Sequence, residues 1–138
     1  MKFIIQTDGA SRGNPGPSSS AFVIKSEDGL IWAQNGIYLG VGTNNNAEYL
    51  AVKLSLERLI TDFGRFLPTE VEFIGDSLLI TSQLSGKFRV KSSELRVLYD
   101  QIKELEDKVG HVIYTYTPRA NNFLADKLAN QILDQELA

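Results

Sequence analysis

The stretch KFIIQTDGASRGNPGPSSSAFVI, Lys2 to Ile24, decides how the chain begins to fold. Lys2 to Asp8 is rich in β-branched and aromatic residues, which predicts a strand. Gly9 to Ser20 is a dense cluster of Gly, Pro, Ser and Asn, which predicts a loop. Ala21 to Gly40 resumes strand character and carries Asp28-Gly29 at its centre, a hairpin signal. Three strands therefore open the chain. After them the period changes. From Asn44 to Phe63 apolar residues recur at Val52, Leu56, Leu59 and Phe63, one face of a helix. Glu70 to Asp76 predicts a strand, Ser77 to Gly86 a short helix, and Lys87 to Ser93 a loop. A longer helix is expected over Ser93–Val109 and a strand over His111–Thr117. A loop over Pro118–Asn122 precedes a last helix, Phe123–Leu137, with a stripe at Ala125, Leu128, Ala129, Ile132 and Leu133. Strands grouped early and alternating with helices late imply a mixed α/β sheet, antiparallel in its first part and parallel in its second.

The 138 residues suit one domain, 1–138, and 43% hydrophobic residues suffice for a buried core. No apolar run approaches the ~18 residues that span a bilayer, and MKFIIQTDG is too short for a signal peptide. A cytoplasmic location without membrane association is the expectation. Zero Cys excludes a disulfide framework, a thiolate metal site and a cysteine nucleophile. The net charge of -3 argues against a protein that coats nucleic acid through a basic footprint. An enzyme that holds a polyanion through metal ions and a few placed side chains remains compatible with it.

Four acids stand at element ends. Asp8 closes the first strand and Asp76 the fourth; Glu48 and Asp126 lie in the first turns of helices. Each has a local reading. Asp8-Gly9 suits a turn, Asp76 suits an N-cap, and Asp126 suits the positive end of its helix. Glu48 suits a capping box with Asn45. Four together, at ends that this topology can bring to one edge, point to a shared site. Carboxylates a few ångströms apart repel unless a cation joins them. Oxygen ligands without Cys or His clusters suit Mg²⁺ or Mn²⁺. Two such ions about 4 Å apart can clamp the attacking water and the leaving oxygen of an in-line phosphoryl displacement. On that reading Glu48 begins the core-facing stripe of its helix because it turns inward toward metal.

TDGASRGNPGPSSSAFVI, NNNAEYLAV, FIGDSLLI and PRANNFLADKLAN, taken in this order, resemble the ribonuclease H type 1 family from Thr7 to Asn130. The resemblance implies a ribonuclease H-like fold, a five-stranded mixed sheet with helices on both faces. It implies an endoribonuclease that cuts the RNA strand of RNA–DNA hybrids and leaves 5′-phosphate and 3′-hydroxyl ends. Asp8, Glu48, Asp76 and Asp126 match the family's catalytic, metal-holding acids, with two Mg²⁺ or Mn²⁺ ions per site. By that match Asp8 bridges both ions, Glu48 and Asp76 serve the leaving-group side, and Asp126 the water side. Asn14, Asn44 and Asn45 match positions that contact the hybrid, and Ser11 joins them as a hydroxyl. Asn14 also suits a turn, and Asn44 or Asn45 a helix cap. The departures are specific. Where many members carry a His before the last acid, this chain has Arg119, assigned a catalytic role facing phosphate or releasing product. His111 opens a strand and is read as structural. Where some members carry a basic, tryptophan-containing protrusion, this chain has SGKFRVKSS with only Lys87, Arg89 and Lys91, which implies a weak grip on substrate. Trp32 is read as core or sheet-surface packing.

The expected partners are an RNA–DNA hybrid and, as some relatives accept it, double-stranded RNA, bound by a monomer. The competing reading is a non-cleaving hybrid or double-stranded RNA binding module of the same fold. Such a binder has no need to gather negative charge beside phosphate. Further alternatives are another nuclease or an integrase on a similar fold, or a structural protein whose acids only cap helices.

Overall fold

The computed structural model describes residues 1–67 and 70–138. Its sheet has five strands: β1 (Lys2–Ser11), β2 (Gly16–Ser26), β3 (Ile31–Gly42), β4 (Glu70–Gly75) and β5 (His111–Tyr116). They lie in the order β3-β2-β1-β4-β5. β1–β2 and β2–β3 pair antiparallel, and β1–β4 and β4–β5 pair parallel. Among the described residues the α-helices are α1 (Asn44–Phe63), α2 (Leu78–Leu84), α3 (Ser93–Val109) and α4 (Phe123–Glu136). The mixed sheet expected from the sequence is present. No helix of the described residues is long and apolar enough to cross a membrane.

The hairpin at Asp28-Gly29 forms as expected, with Gly29 at φ 91 and its N–H donating to the Ser26 carbonyl. The loop expected over Gly9–Ser20 is much shorter. β1 continues to Ser11 and β2 begins at Gly16, so Ala10 pairs with Ser19 and Ser11 with Ser18. The small hydroxylated residues have tertiary partners that override their turn preference. Ser18 Oγ donates to Gly40 O, Ser19 Oγ to Ala129 O on α4, and Ser20 Oγ to Ala47 O on α1. Adjacent strand residues point to opposite faces. Ser19 and Ser20 therefore let α4 and α1 close on the two sides of the sheet.

α1 buries Val52, Leu56 and Leu59, as its period predicted. Phe63 is partly buried, and its ring packs 5.2 Å from that of Phe3. α3 lies beside α1 and buries Leu95, Ile102 and Val109. Each fully buried aliphatic or aromatic side chain contributes about 1.5–3 kcal/mol. Across the sheet, α4 buries Ala125, Ala129 and Leu133 against β1 to β3. Gly36 on β3 makes room for it: a Cβ there would meet Ile132 Cγ1 at 2.5 Å. Trp32 lies on the sheet surface, half exposed, with its ring 5.0 Å from that of Phe63. His111 pairs with Glu70 where β4 and β5 begin, at the opposite end from Asp76.

Candidate active site

Parallel pairing of β1 with β4 runs to Gln6 and Ile74, and two residues later each strand delivers an acid, Asp8 and Asp76. α1 brings Glu48 from one side. The approach depends on Gly9. A Cβ at that position would lie 2.4 Å from Glu48 N and 2.5 Å from Ala47 C, so only glycine lets β1 press against the first turns of α1. One carboxylate oxygen from each of Asp8, Glu48 and Asp76 falls within 4.8 Å of the others. The Asp8 side chain is buried, Glu48 is 9% exposed and the Asp76 side chain 5%. Asp126, in the first turn of α4, lines the same cleft of about 380 Å³ but stands outside that tight group. Asn130 steadies it, donating to Asp126 O at 3.0 Å and more distantly to its carboxylate.

The electrostatics are strained. Burial, then Glu48 and Asp76, pushes Asp8 up to about 10. Burial, then Asp76, pushes Glu48 up to about 7, against the opposing influence of Asp8, the Gly9 amide and Arg119. Asp76 is also raised, chiefly by burial, while Arg119 and Asn122 favour its charged form. Among the described residues, Asp8 Oδ1 and Asp76 Oδ2 are buried without a hydrogen-bond partner. Unpartnered buried oxygens on mutually repelling acids fit a cation-binding role. An all-carboxylate donor set fits a hard divalent ion.

Of the other expected residues, Ser11, Asn44, Asn45 and Arg119 line this cleft. Ser11 Oγ donates to Asn44 Oδ1 at 2.9 Å. Asn14 is tied to the same turn, its Oδ1 accepting from Asn44 N at 3.1 Å. Asn45 is shared with an adjoining groove of about 560 Å³ that holds Lys87, Phe88, Arg89 and Lys91. Arg119 is 76% exposed, with Nε 3.7 Å from Asp76 Oδ2.

The capping expectations are corrected. The cap of α1 is Thr43, whose hydroxyl accepts from Asn46 N, and neither Asn44 nor Asn45. Glu48 therefore completes no capping box with Asn45. The cap of α2 is Ser77, accepting from Ile80 N, so Asp76 is free to face the cleft. Sequence reasoning missed Gly9, Asn122 and Asn130. Asn122 is fully buried and donates from Nδ2 to Thr7 O at 2.8 Å. An Asn just before a helix carries an obvious capping explanation, and its burial depends on contacts with β1 that no local pattern encodes.

Residues 6–132 match the reverse transcriptase-like family. The ribonuclease HI of Halobacterium salinarum is 42% identical over 127 residues, covering 92% of this chain and 62% of that protein. The bifunctional protein Rv2228c of Mycobacterium tuberculosis is 37% identical over 135 residues, 97% of this chain but 36% of its own length. The chain thus spans between about a third and just under two thirds of these relatives. Among solved structures, LC11-RNase H1 in complex with an RNA/DNA hybrid has a TM-score of 0.95 at 36% identity, covering 99% of both chains.

Proposed function

The chain belongs to the ribonuclease H type 1 family, and on that premise we propose that residues 1–138 form a catalytic domain that hydrolyses the RNA strand of RNA–DNA hybrids. Three carboxylate oxygens within 4.8 Å, two of the acids carrying a buried oxygen without a hydrogen-bond partner among the described residues, carry the proposal. Asp8, Glu48, Asp76 and Asp126 would hold two Mg²⁺ or Mn²⁺ ions. Bound there, such ions supply charge neutralisation at phosphate and a more acidic water.

The protein's own groups do the rest. The Gly9 contact and the β1–β4 pairing hold Asp8, Glu48 and Asp76 together before substrate arrives, so no reorganisation is needed at the moment of reaction. Ser11, Asn44 and Asn45 present a hydroxyl and amides beside the acids, and Asn14 adjoins them through Asn44, a donor–acceptor set suited to ribose 2′-hydroxyls and base edges. Arg119 keeps its exposed guanidinium at the mouth, where it can meet a phosphate of the incoming or departing strand. The hybrid-bound structure of LC11-RNase H1 supports this choice of partner.

Incubation with end-labelled hybrid tests the proposal. Cutting of the RNA strand to 5′-phosphate and 3′-hydroxyl ends in Mg²⁺ or Mn²⁺, and none with chelator, is expected. Hybrid binding without cutting in either ion would replace it with the binding-module reading.

A further inference from the structure

Asn122 stands at the start of α4, where an asparagine ordinarily turns its side chain back onto free helix N–H groups. Here it makes no such bond. The side chain is fully buried and directed at β1, with Nδ2 donating to the carbonyl of Thr7, the residue before Asp8. The same amide lies beside Asp76 and favours its charged form. Its nitrogen carries two N–H groups, and Thr7 uses one of them. Its Oδ1 is buried with no hydrogen-bond partner among the described residues, a loss that the helix does not require. Through its backbone carbonyl, Asn122 also accepts the N–H of Asp126 at 3.2 Å. One residue therefore joins β1, which carries Asp8, to α4, which carries Asp126. A forgone cap and an unsatisfied amide oxygen both lower stability, and such departures persist where they hold a functional geometry.

We infer that Asn122 is a positioning residue, whose side-chain amide ties the strand carbonyl before Asp8 to the start of α4, the helix that carries Asp126, and so sets the spacing of the metal-holding acids. The inference rests on the reading of the cleft as a metal-dependent hydrolytic site. It assigns Asn122 no contact with substrate.

Asn122→Ser separates this role from helix initiation, because Ser is as good a cap as Asn but too short to reach the Thr7 carbonyl from the start of α4. Asn122→Asp keeps the shape and loses the donors. Both are compared with the unchanged protein at a temperature where circular dichroism shows all three folded. Mn²⁺ binding is followed by calorimetry without substrate, and kcat and KM are measured on hybrid. Asn122→Ser should weaken Mn²⁺ binding by at least about tenfold. In both variants kcat should fall by a similar factor while KM changes little. Mn²⁺ affinity and kcat of Asn122→Ser within about twofold of the unchanged protein would overturn the inference and leave the hydrolase reading standing. If the unchanged protein binds Mn²⁺ but does not cut, the hydrolase reading falls and the Mn²⁺ titration alone decides the role of Asn122. No Mn²⁺ binding by the unchanged protein would overturn both.

Discussion

At Asp8, burial and the neighbouring carboxylates Glu48 and Asp76 act in the same direction, and all favour the protonated acid. Glu48 is pushed the same way. A carboxyl group whose folded pKa lies above its unfolded value stabilises the fold below the unfolded value and loses that contribution as pH rises through the folded one. Unfolded Asp and Glu titrate near 4, whereas Glu48 in the fold sits at about 7 and Asp8 at about 10. Without metal, the melting temperature should therefore fall from about pH 5 to pH 9 on account of these two groups. A divalent cation, which favours the charged forms, should restore it most at the alkaline end. Asp8→Asn keeps the shape of the side chain and removes the cost of holding in the fold a proton that the unfolded chain sheds near pH 4. It should raise the metal-free melting temperature at pH 8 by about 5 °C and cut hybrid hydrolysis by roughly a thousandfold or more. Calorimetry and a cleavage assay on the same preparation measure both, and a lowered melting temperature would contradict the electrostatic account. The convergence of Asp8, Glu48 and Asp76 was legible in the residue types, because acids at neighbouring element ends have few uses for their summed charge. The caps were not. Thr43 and Asn44, or Asp76 and Ser77, are adjacent residues that can each cap. Which one does so depends on what else is within reach of the other, and for Asp76 that is the cleft.

Among the elements, β1 and α1 meet more closely than any side chain at Gly9 would allow. Gly9→Ala puts a Cβ inside the backbone of Ala47 and Glu48, and backbone cannot swing aside as the end of a side chain can. Overpacking of this kind costs about 1–3 kcal/mol, a fall in melting temperature of about 5 °C. The displaced element carries either Asp8 or Glu48. The variant should therefore also bind Mn²⁺ at least about tenfold more weakly while still folded, a pairing of defects that titration calorimetry and thermal melting read separately. Normal Mn²⁺ affinity in a destabilised Gly9→Ala protein would show that the contact supports packing alone. The limits of α1 and α3 were legible because apolar residues at helical period fix a helix without outside help, and Gly64 and Gly110 follow their last residues. The ends of β1 and the start of β2 were not legible. Gly16 to Ser20 has the composition of a turn, and it becomes strand only because carbonyls of β3, α4 and α1 wait for its hydroxyls. A preference that local sequence sets can be read locally; one reversed by three distant elements cannot.

On the scale of the whole molecule, a chain with net charge -3 is proposed to bind a polyanion, so attraction must be local. Lys87, Arg89 and Lys91 would supply it on the groove that meets the acid cleft at Asn45, with Phe88 half exposed between them. Each phosphate neutralised releases condensed counterions, giving a slope of about 0.7–0.9 per contact when the logarithm of affinity is plotted against that of salt. Three cations therefore limit this groove to a slope of about 2–3, well short of proteins that make six to ten phosphate contacts. Changing Lys87, Arg89 and Lys91 together to Gln should raise KM for hybrid by about tenfold or more near 50 mM salt, and by progressively less towards 200 mM, because the variant has few counterions left to release. The acids, built on β1, β4, α1 and α4, do not depend on this loop for their spacing, so the loss belongs in KM. Measuring KM for both proteins across that salt range tests the route of the hybrid over the surface. Converging lines support a path from the acid cleft through Asn45 into the groove. Parallel lines would mean that the hybrid leaves the cleft in another direction, with Arg119 and the Asn14–Asn44 turn carrying its backbone instead.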